Sequence, residues 1–159
     1  MTLPTPSLVF VSREGAIPAV GPAANPTLSG ARVEILNPVS AERVVIELPA
    51  ANWTALGVPP GASGYRYRDP TRASGPCRVA LLKPGRTVKA VCRGSAIAFT
   101  LNEPQQGSLQ VSLQSGTGTG AVELCSRFGG TVLVDRPVNG TQTGLFKARL
   151  AGPPATCAP

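Results

Sequence analysis

The chain contains no histidine among its 159 residues. That absence excludes Ser-His-Asp and Cys-His nucleophilic sites and any histidine general base. Its four cysteines, at 77, 92, 125 and 157, include no CxxC pair, so with histidine also missing the usual zinc ligand set is not there. No run approaches the roughly 20 apolar residues of a membrane-spanning helix. Asp69 and Asp135 are the only aspartates, so no Asp-rich calcium loop is encoded. The run Gly116-Thr-Gly-Thr-Gly120 has the glycines of a phosphate loop without the helix that phosphate binding needs. No cofactor is expected.

What is present reads as β-structure. Gly 18 and Pro 17 together exceed a fifth of the chain, which suits short strands joined by tight turns. Residues 1–30 form a Pro/Ala/Gly-rich arm with one strand-like island, Leu8-Val-Phe-Val-Ser12. From residue 31 to 159 strands come at close spacing: 31–37, 43–48, 65–68, 77–82, 87–92, 96–101, 108–114, 121–125, 131–135 and 144–150. Trp53 falls on a connector. In 108–114, Leu109, Val111 and Leu113 alternate with Ser108, Gln110, Ser112 and Gln114, which predicts one buried face and one wet face. Asn139-Gly140 signals a hairpin between the last two strands. No segment has a 3.6-residue period. The expectation is an all-β fold, an antiparallel β-sandwich of Ig-like or jelly-roll layout with almost no helix.

One hairpin specifies its own register. Cys77 and Cys92 are equidistant from Pro84-Gly85, and a four-residue loop over Lys83–Arg86 would pair Leu82 with Thr87, Leu81 with Val88, Val79 with Ala90 and Cys77 with Cys92. The sulfur face would then carry Val79, Leu81, Val88 and Ala90. An even cysteine count with no metal spacing reads as two disulfides and an oxidising compartment. The hairpin favours Cys77–Cys92, leaving Cys125–Cys157 to tie down the Pro-rich tail. The opening Met1-Thr-Leu-Pro-Thr-Pro6 has neither a basic region nor a long apolar run, so a mature form or an excised domain is expected rather than a leader-bearing chain.

Charge is unevenly placed. Residues 66–93 hold Arg66, Arg68, Arg72, Arg78, Lys83, Arg86, Lys89 and Arg93 against Asp69, which is 8 − 1 = +7, the whole formal charge of the protein. The candidate polyanion-binding residues are Arg66, Arg68, Arg78, Lys83, Arg86 and Lys89, with acidic polysaccharide preferred to nucleic acid as partner. The same cations also serve a blander purpose, keeping a sheet edge from pairing with another chain. Trp53, Tyr65 and Tyr67 are candidate aromatic contacts, although core or interface packing is the preferred reading of each ring. Carboxylates for a glycosidase could be drawn from Glu34, Glu47, Glu103 and Glu123. Asn52-Trp-Thr54 and Asn139-Gly-Thr141 match the glycosylation sequon.

The stretches Gly64-Tyr-Arg-Tyr-Arg-Asp-Pro70, Gly75-Pro-Cys-Arg-Val-Ala-Leu-Leu-Lys-Pro-Gly85, Phe99-Thr-Leu-Asn-Glu-Pro104, Cys125-Ser-Arg-Phe-Gly-Gly130 and Pro153-Pro-Ala-Thr-Cys157 resemble a module that recurs in large secreted bacterial proteins. The resemblance runs from about residue 31 to the end. It implies an accessory, surface-exposed β domain in which Cys125 and Cys157 come as a set, and it transfers no catalytic residue. The expected function is therefore a non-catalytic structural or adhesive module, secreted or at the cell surface. Self-association through strand addition by residues 8–12 is expected of its arm. Polyanion binding and a carboxylate-based glycosidase are the alternatives.

Overall fold

The computed structural model describes residues 6–13, 20–139 and 144–149. Eleven strands dominate it: β1 Ser7–Ser12, β2 Ala31–Leu36, β3 Arg43–Leu48, β4 Trp53–Ala55, β5 Tyr65–Arg68, β6 Cys77–Lys83, β7 Thr87–Arg93, β8 Leu109–Ser115, β9 Val122–Phe128, β10 Thr131–Arg136 and β11 Leu145–Arg149. The α-helical content among the described residues is one turn, Pro26–Ser29, capped by Asn25, whose side-chain oxygen accepts from Thr27 N at 3.0 Å. All strand pairs are antiparallel. A five-stranded sheet runs β1-β7-β6-β5-β4, a four-stranded sheet β3-β2-β8-β9, and β10 pairs with β11 as a separate ribbon. The turn signalled at Asn139-Gly140 has Gly140 outside the described residues, but the two strands it was to join do pair, Arg136 opposite Leu145.

A single buried cluster draws on both large sheets. Phe10, Tyr67, Leu82, Val88 and Ala90 come from the five-stranded sheet, and Val33, Ile35, Leu48, Val111 and Leu113 from the four-stranded one. Phe10 of β1 and Phe128 of β9 meet edge to face at 5.8 Å, an aromatic contact across the two.

The central hairpin corrects the expected register. Lys83 pairs with Thr87, Leu82 with Val88, Leu81 with Lys89, Ala80 with Ala90 and Val79 with Val91. The loop is three residues, not four, because Arg86 N bonds Lys83 O at 3.1 Å while Gly85 takes φ +63° behind Pro84, as a type II turn requires. One residue fewer in the loop moves every β6 side chain to the opposite face. A bulge at Arg78 then restores the phase, and Cys77 faces Cys92 after all, in a disulfide on the core side. Val79 and Leu81 consequently leave the sulfur face, which carries Ala80 and Leu82 instead.

Among the described residues one disulfide is seen, Cys77–Cys92; Cys157 of the expected Cys125–Cys157 pair lies outside them. Three further expectations change. Ala96 to Leu101 forms no strand. Ile97 N turns back to Gly94 O, Thr100 N is taken by the Glu42 carboxylate at 2.7 Å, and Leu101 sits at φ +50°, so no ladder can run through it. The polar face of β8 is not wet: Gln110 and Ser112 are buried. Ser112 is flanked by Glu34 on β2 and Cys125 on β9, and a serine between larger neighbours is covered by them. Conversely, the Trp53 connector is a strand, β4, paired with β5.

Gly64 makes the closest backbone approach between the loop before β5 and β6. At φ +94°, a Cβ there would stand 2.1 Å from Leu82 O, whereas one on Gly85 (φ +63°) would meet open space. Gly85→Ala should therefore cost only the left-handed backbone penalty, about 1–2 kcal/mol. Gly64→Ala should cost more, on the order of 3 kcal/mol or above. Urea midpoints of the two variants measure the difference, and equal midpoints would contradict the Gly64 contact.

Candidate functional site

Alternation along the five-stranded sheet sorts its side chains between core and solvent. Tyr65 and Tyr67 of β5, Ala80 and Leu82 of β6, and Val88, Ala90 and Cys92 of β7 point inward. Arg66, Arg68, Lys83, Lys89 and Arg93 therefore project from the other face, and the register places them in rows. One row crosses Val11, Lys89, Leu81, Arg66 and Thr54; the next crosses Val9, Val91, Val79 and Arg68; Ser7 opposes Arg93 and Lys83 opposes Thr87. Exposed Arg78 at the bulge and Arg86 on the turn extend the cations beyond the rows. An aliphatic spine of Val9, Val91, Val79 and Leu81 threads between the charges, with Val9 69% exposed.

Among the described residues, the strands of this face supply no acid to offset it. None of the sheet's five strands contains Asp or Glu. Among the described residues the one ion pair is Arg43–Glu34 at 2.7 Å, on the other sheet. Strands about 4.8 Å apart and same-face residues about 7 Å apart put neighbouring cations inside the Debye length of roughly 8–10 Å, so their fields overlap at physiological salt.

Asp69, the sole acid in the basic segment, does not neutralise it. Its carboxylate is buried beneath its own loop and accepts from Ser74 N (2.7 Å), Ala73 N (3.1 Å) and Thr71 Oγ1 (3.3 Å). The Ser74 amide foremost, with Ala73 and Thr71, holds its carboxyl below the usual aspartate range against the opposing pull of desolvation. Asp69 thus shapes the loop that carries Arg72 and leads to Arg78.

The aromatic candidates lie on the wrong side for ligand contact. Trp53, Tyr65 and Tyr67 are all buried, Tyr67 completely, and they build the core. Trp53 stacks edge to face on Tyr67 at 5.6 Å and donates Nε1–H to Leu48 O at 3.1 Å. Burial pushes the Tyr67 phenol up from its ordinary value, with the Asn52 hydrogen bond opposing and Asp69 adding to the rise. Asn52 spends its amide on Tyr67 Oη (3.2 Å) and Ser74 Oγ (2.9 Å), so the Asn52 sequon presents an occupied nitrogen. Asn139 is exposed, but Gly140 and Thr141 of the second sequon lie outside the described residues.

Three of the four candidate glycosidase carboxylates lie on the four-stranded sheet, Glu34 on β2, Glu47 on β3 and Glu123 on β9. Glu34 is ion-paired with Arg43, Glu47 is exposed opposite Arg32, and Glu123 is exposed opposite Gln114. Glu103 receives hydrogen bonds from Ser40 and from Gln106, which hold its carboxyl below the ordinary range. A general acid needs the opposite shift. Gln106 in turn accepts from Asn37 Nδ2 at 2.8 Å, and its backbone N–H donates to Asp135 at 2.9 Å. These carboxylates and amides hold the 100–107 segment in place.

Of the six basic residues singled out in the sequence, four (Arg66, Arg68, Lys83, Lys89) share one sheet face, with Arg78 and Arg86 at its margins. Arg93 and the aliphatic spine were missed. For Val79 and Leu81 the signal was the three-residue turn, which decides the face each β6 residue takes; Val91 and Arg93 follow from alternation with Cys92 on β7. No protein-family model, curated protein or solved structure matches this chain.

Because Asp69 has a lowered folded-state pKa, its stabilising contribution is complete above the unfolded aspartate value near 3.9 and is lost as pH falls through the folded value. Asp69→Asn should therefore unfold at lower urea than the native chain at pH 7 and lose less further stability on acidification to pH 3. Parallel urea titrations at the two pH values measure this; an equal acid sensitivity in both proteins would refute the assignment.

Proposed function

We propose that this protein is a non-catalytic extracellular β-sandwich module that binds acidic polysaccharide on the solvent face of its five-stranded sheet. The observation that carries this reading is the coincidence of Arg66, Arg68, Lys83, Lys89 and Arg93 on one face of a sheet without a single acid in its strands. Cations held in register across several strands suit an extended polyanion. Each carboxylate or sulfate it holds releases counter-ions, so affinity is mainly electrostatic and falls steeply with salt. The half-buried Val79, Leu81 and Val91 between the cations offer the apolar faces of sugar rings a surface to lie on. The extracellular assignment is supported by the Cys77–Cys92 disulfide, a bond that persists in oxidising compartments. The sandwich layout is supported by the single core shared between the two large sheets.

Retention on heparin at 0.1 M salt tests the site. Reversing Arg66, Arg68 and Lys89 to Glu should weaken binding about tenfold or more, because three cations on one face become anions. Reversing the exposed Arg32, Arg127 and Arg136 changes the net charge equally but leaves this face intact, and should cost much less. Equal loss from both triple variants would mean that net charge alone governs retention, and would end the reading.

Self-association is a second reading, favoured by the position of β1. It joins the sheet only through β7, along all six residues from Ser7 opposite Arg93 to Ser12 opposite Val88. A strand held by one neighbour can be traded for the same strand of another copy. Deleting residues 1–13 and measuring mass in solution tests the exchange: a concentration-dependent oligomer in the full chain should become monomeric. A full chain that is monomeric at all concentrations rejects it.

A further inference from the structure

We infer that the protein has a second binding site, independent of the cationic face, for the acyl chain of a single-chain anionic amphiphile. A cavity of about 420 Å³ opens between β1, the irregular segment 97–101, the core-facing sides of β2, β8 and β9, and β11. Its walls are mainly hydrocarbon and aromatic, with Phe10, Ile35, Phe99, Val111, Phe128 and Phe146 supplying much of the lining. Protein interiors leave few voids larger than a water molecule, and an unfilled apolar space forfeits the dispersion contacts of its lining atoms. The volume falls within the roughly 300–1,000 Å³ of small-molecule sites. At about 30 Å³ per water-sized group it holds on the order of fourteen such groups, which matches one acyl chain and not two.

Charge fixes the other end of the ligand. Among the described residues no acid lines the cavity, the one lining cation is Lys147, exposed on β11, and the lining hydroxyls are Ser7 and Thr100. A carboxylate or other single anionic head group is therefore matched at the rim, while the chain enters among Phe99, Phe128 and Phe146. Sugar rings do not suit such walls, which offer almost no polar side chains to their hydroxyls. The cations of the sheet face take no part. The lining includes β1 residues but none of Arg66, Arg68, Lys83, Lys89 or Arg93.

Calorimetric titration with saturated fatty acids of 8 to 16 carbons, kept below their micelle concentrations, tests the assignment. Affinity should rise about fourfold for each added methylene and then level once the cavity is full. The primary alcohol of the best-fitting length should bind more weakly than the acid. Lys147→Glu should lower acid affinity about tenfold and leave the alcohol unchanged. Ala148→Phe, which projects a ring into the cavity, should shorten the length at which affinity levels; Leu145→Trp at the exposed rim serves if the first variant fails to fold. The Arg66, Arg68 and Lys89 reversals should leave fatty-acid binding intact while heparin retention is lost, so the two sites fail separately. Affinity that is flat with chain length, or insensitive to both filling variants, overturns the cavity as the site. Equal binding of acid and alcohol in the native chain overturns the anionic head group.

Discussion

The pairing of β6 with β7 is the constraint on which the rest of the molecule depends. A three-residue loop at Pro84-Gly85-Arg86 and an extra residue at Arg78 set the phase of both strands. With that phase, Ala80, Leu82, Val88, Ala90 and both sulfurs face the core, and Lys83, Lys89 and Arg93 face water. The opposite phase would bury Lys89 and place an alanine pair outside, at the cost of an unpaired charge in an apolar interior. Desolvation thus selects which face of β7 turns inward, and the disulfide holds the pairing from the far end. Every other strand of that sheet inherits its facing from this hairpin: β5 through Leu81 opposite Arg66, β1 through Val91 opposite Val9.

The electrostatic character of the sheet follows from two placements. The strands contain no acids, and the one acid of the basic segment 66–93, Asp69, is engaged by backbone amides of its own loop. The uncompensated charge is therefore a property of architecture as well as composition. Acids and bases balance elsewhere in the chain, and the one ion pair among the described residues, Arg43–Glu34, joins adjacent strands of the other sheet.

Much of this was legible in the sequence because period-2 alternation reports burial directly. It located β2, β3, β5, β6, β7 and β8 closely, along with the basic cluster and the facing of Cys77 toward Cys92. What it could not distinguish was burial from pairing. Ile97 and Phe99 alternate like strand residues and do turn toward the core, yet their backbone is bonded to side chains and turns. The one-residue error in the hairpin had a different origin. Pro-Gly is compatible with several loop lengths, and only the αL conformation of Gly85 with the bulge at Arg78 decides among them. The buried polar side of β8 was hidden for a third reason: a Ser or Gln in alternation looks solvated whether or not larger neighbours cover it.

Residues 94–108 form the longest stretch between strands among the described residues, and a surface loop of that length is ordinarily where a chain tolerates insertion. Here the opposite holds. The backbone amides of Thr100, Gln106 and Gly107 end on the carboxylates of Glu42 and Asp135, Leu101 O accepts from Val138 N, and Asn37 clasps Gln106 in a site where Asn37 is only 1% exposed. Its path is fixed by particular side chains on the β2–β3 turn and on β10, so its spacing is as restricted as that of a strand. For anyone joining this module to another protein, the irregular segment is a poor point of entry; the apparent freedom of its backbone is spent holding three distant parts of the chain in register.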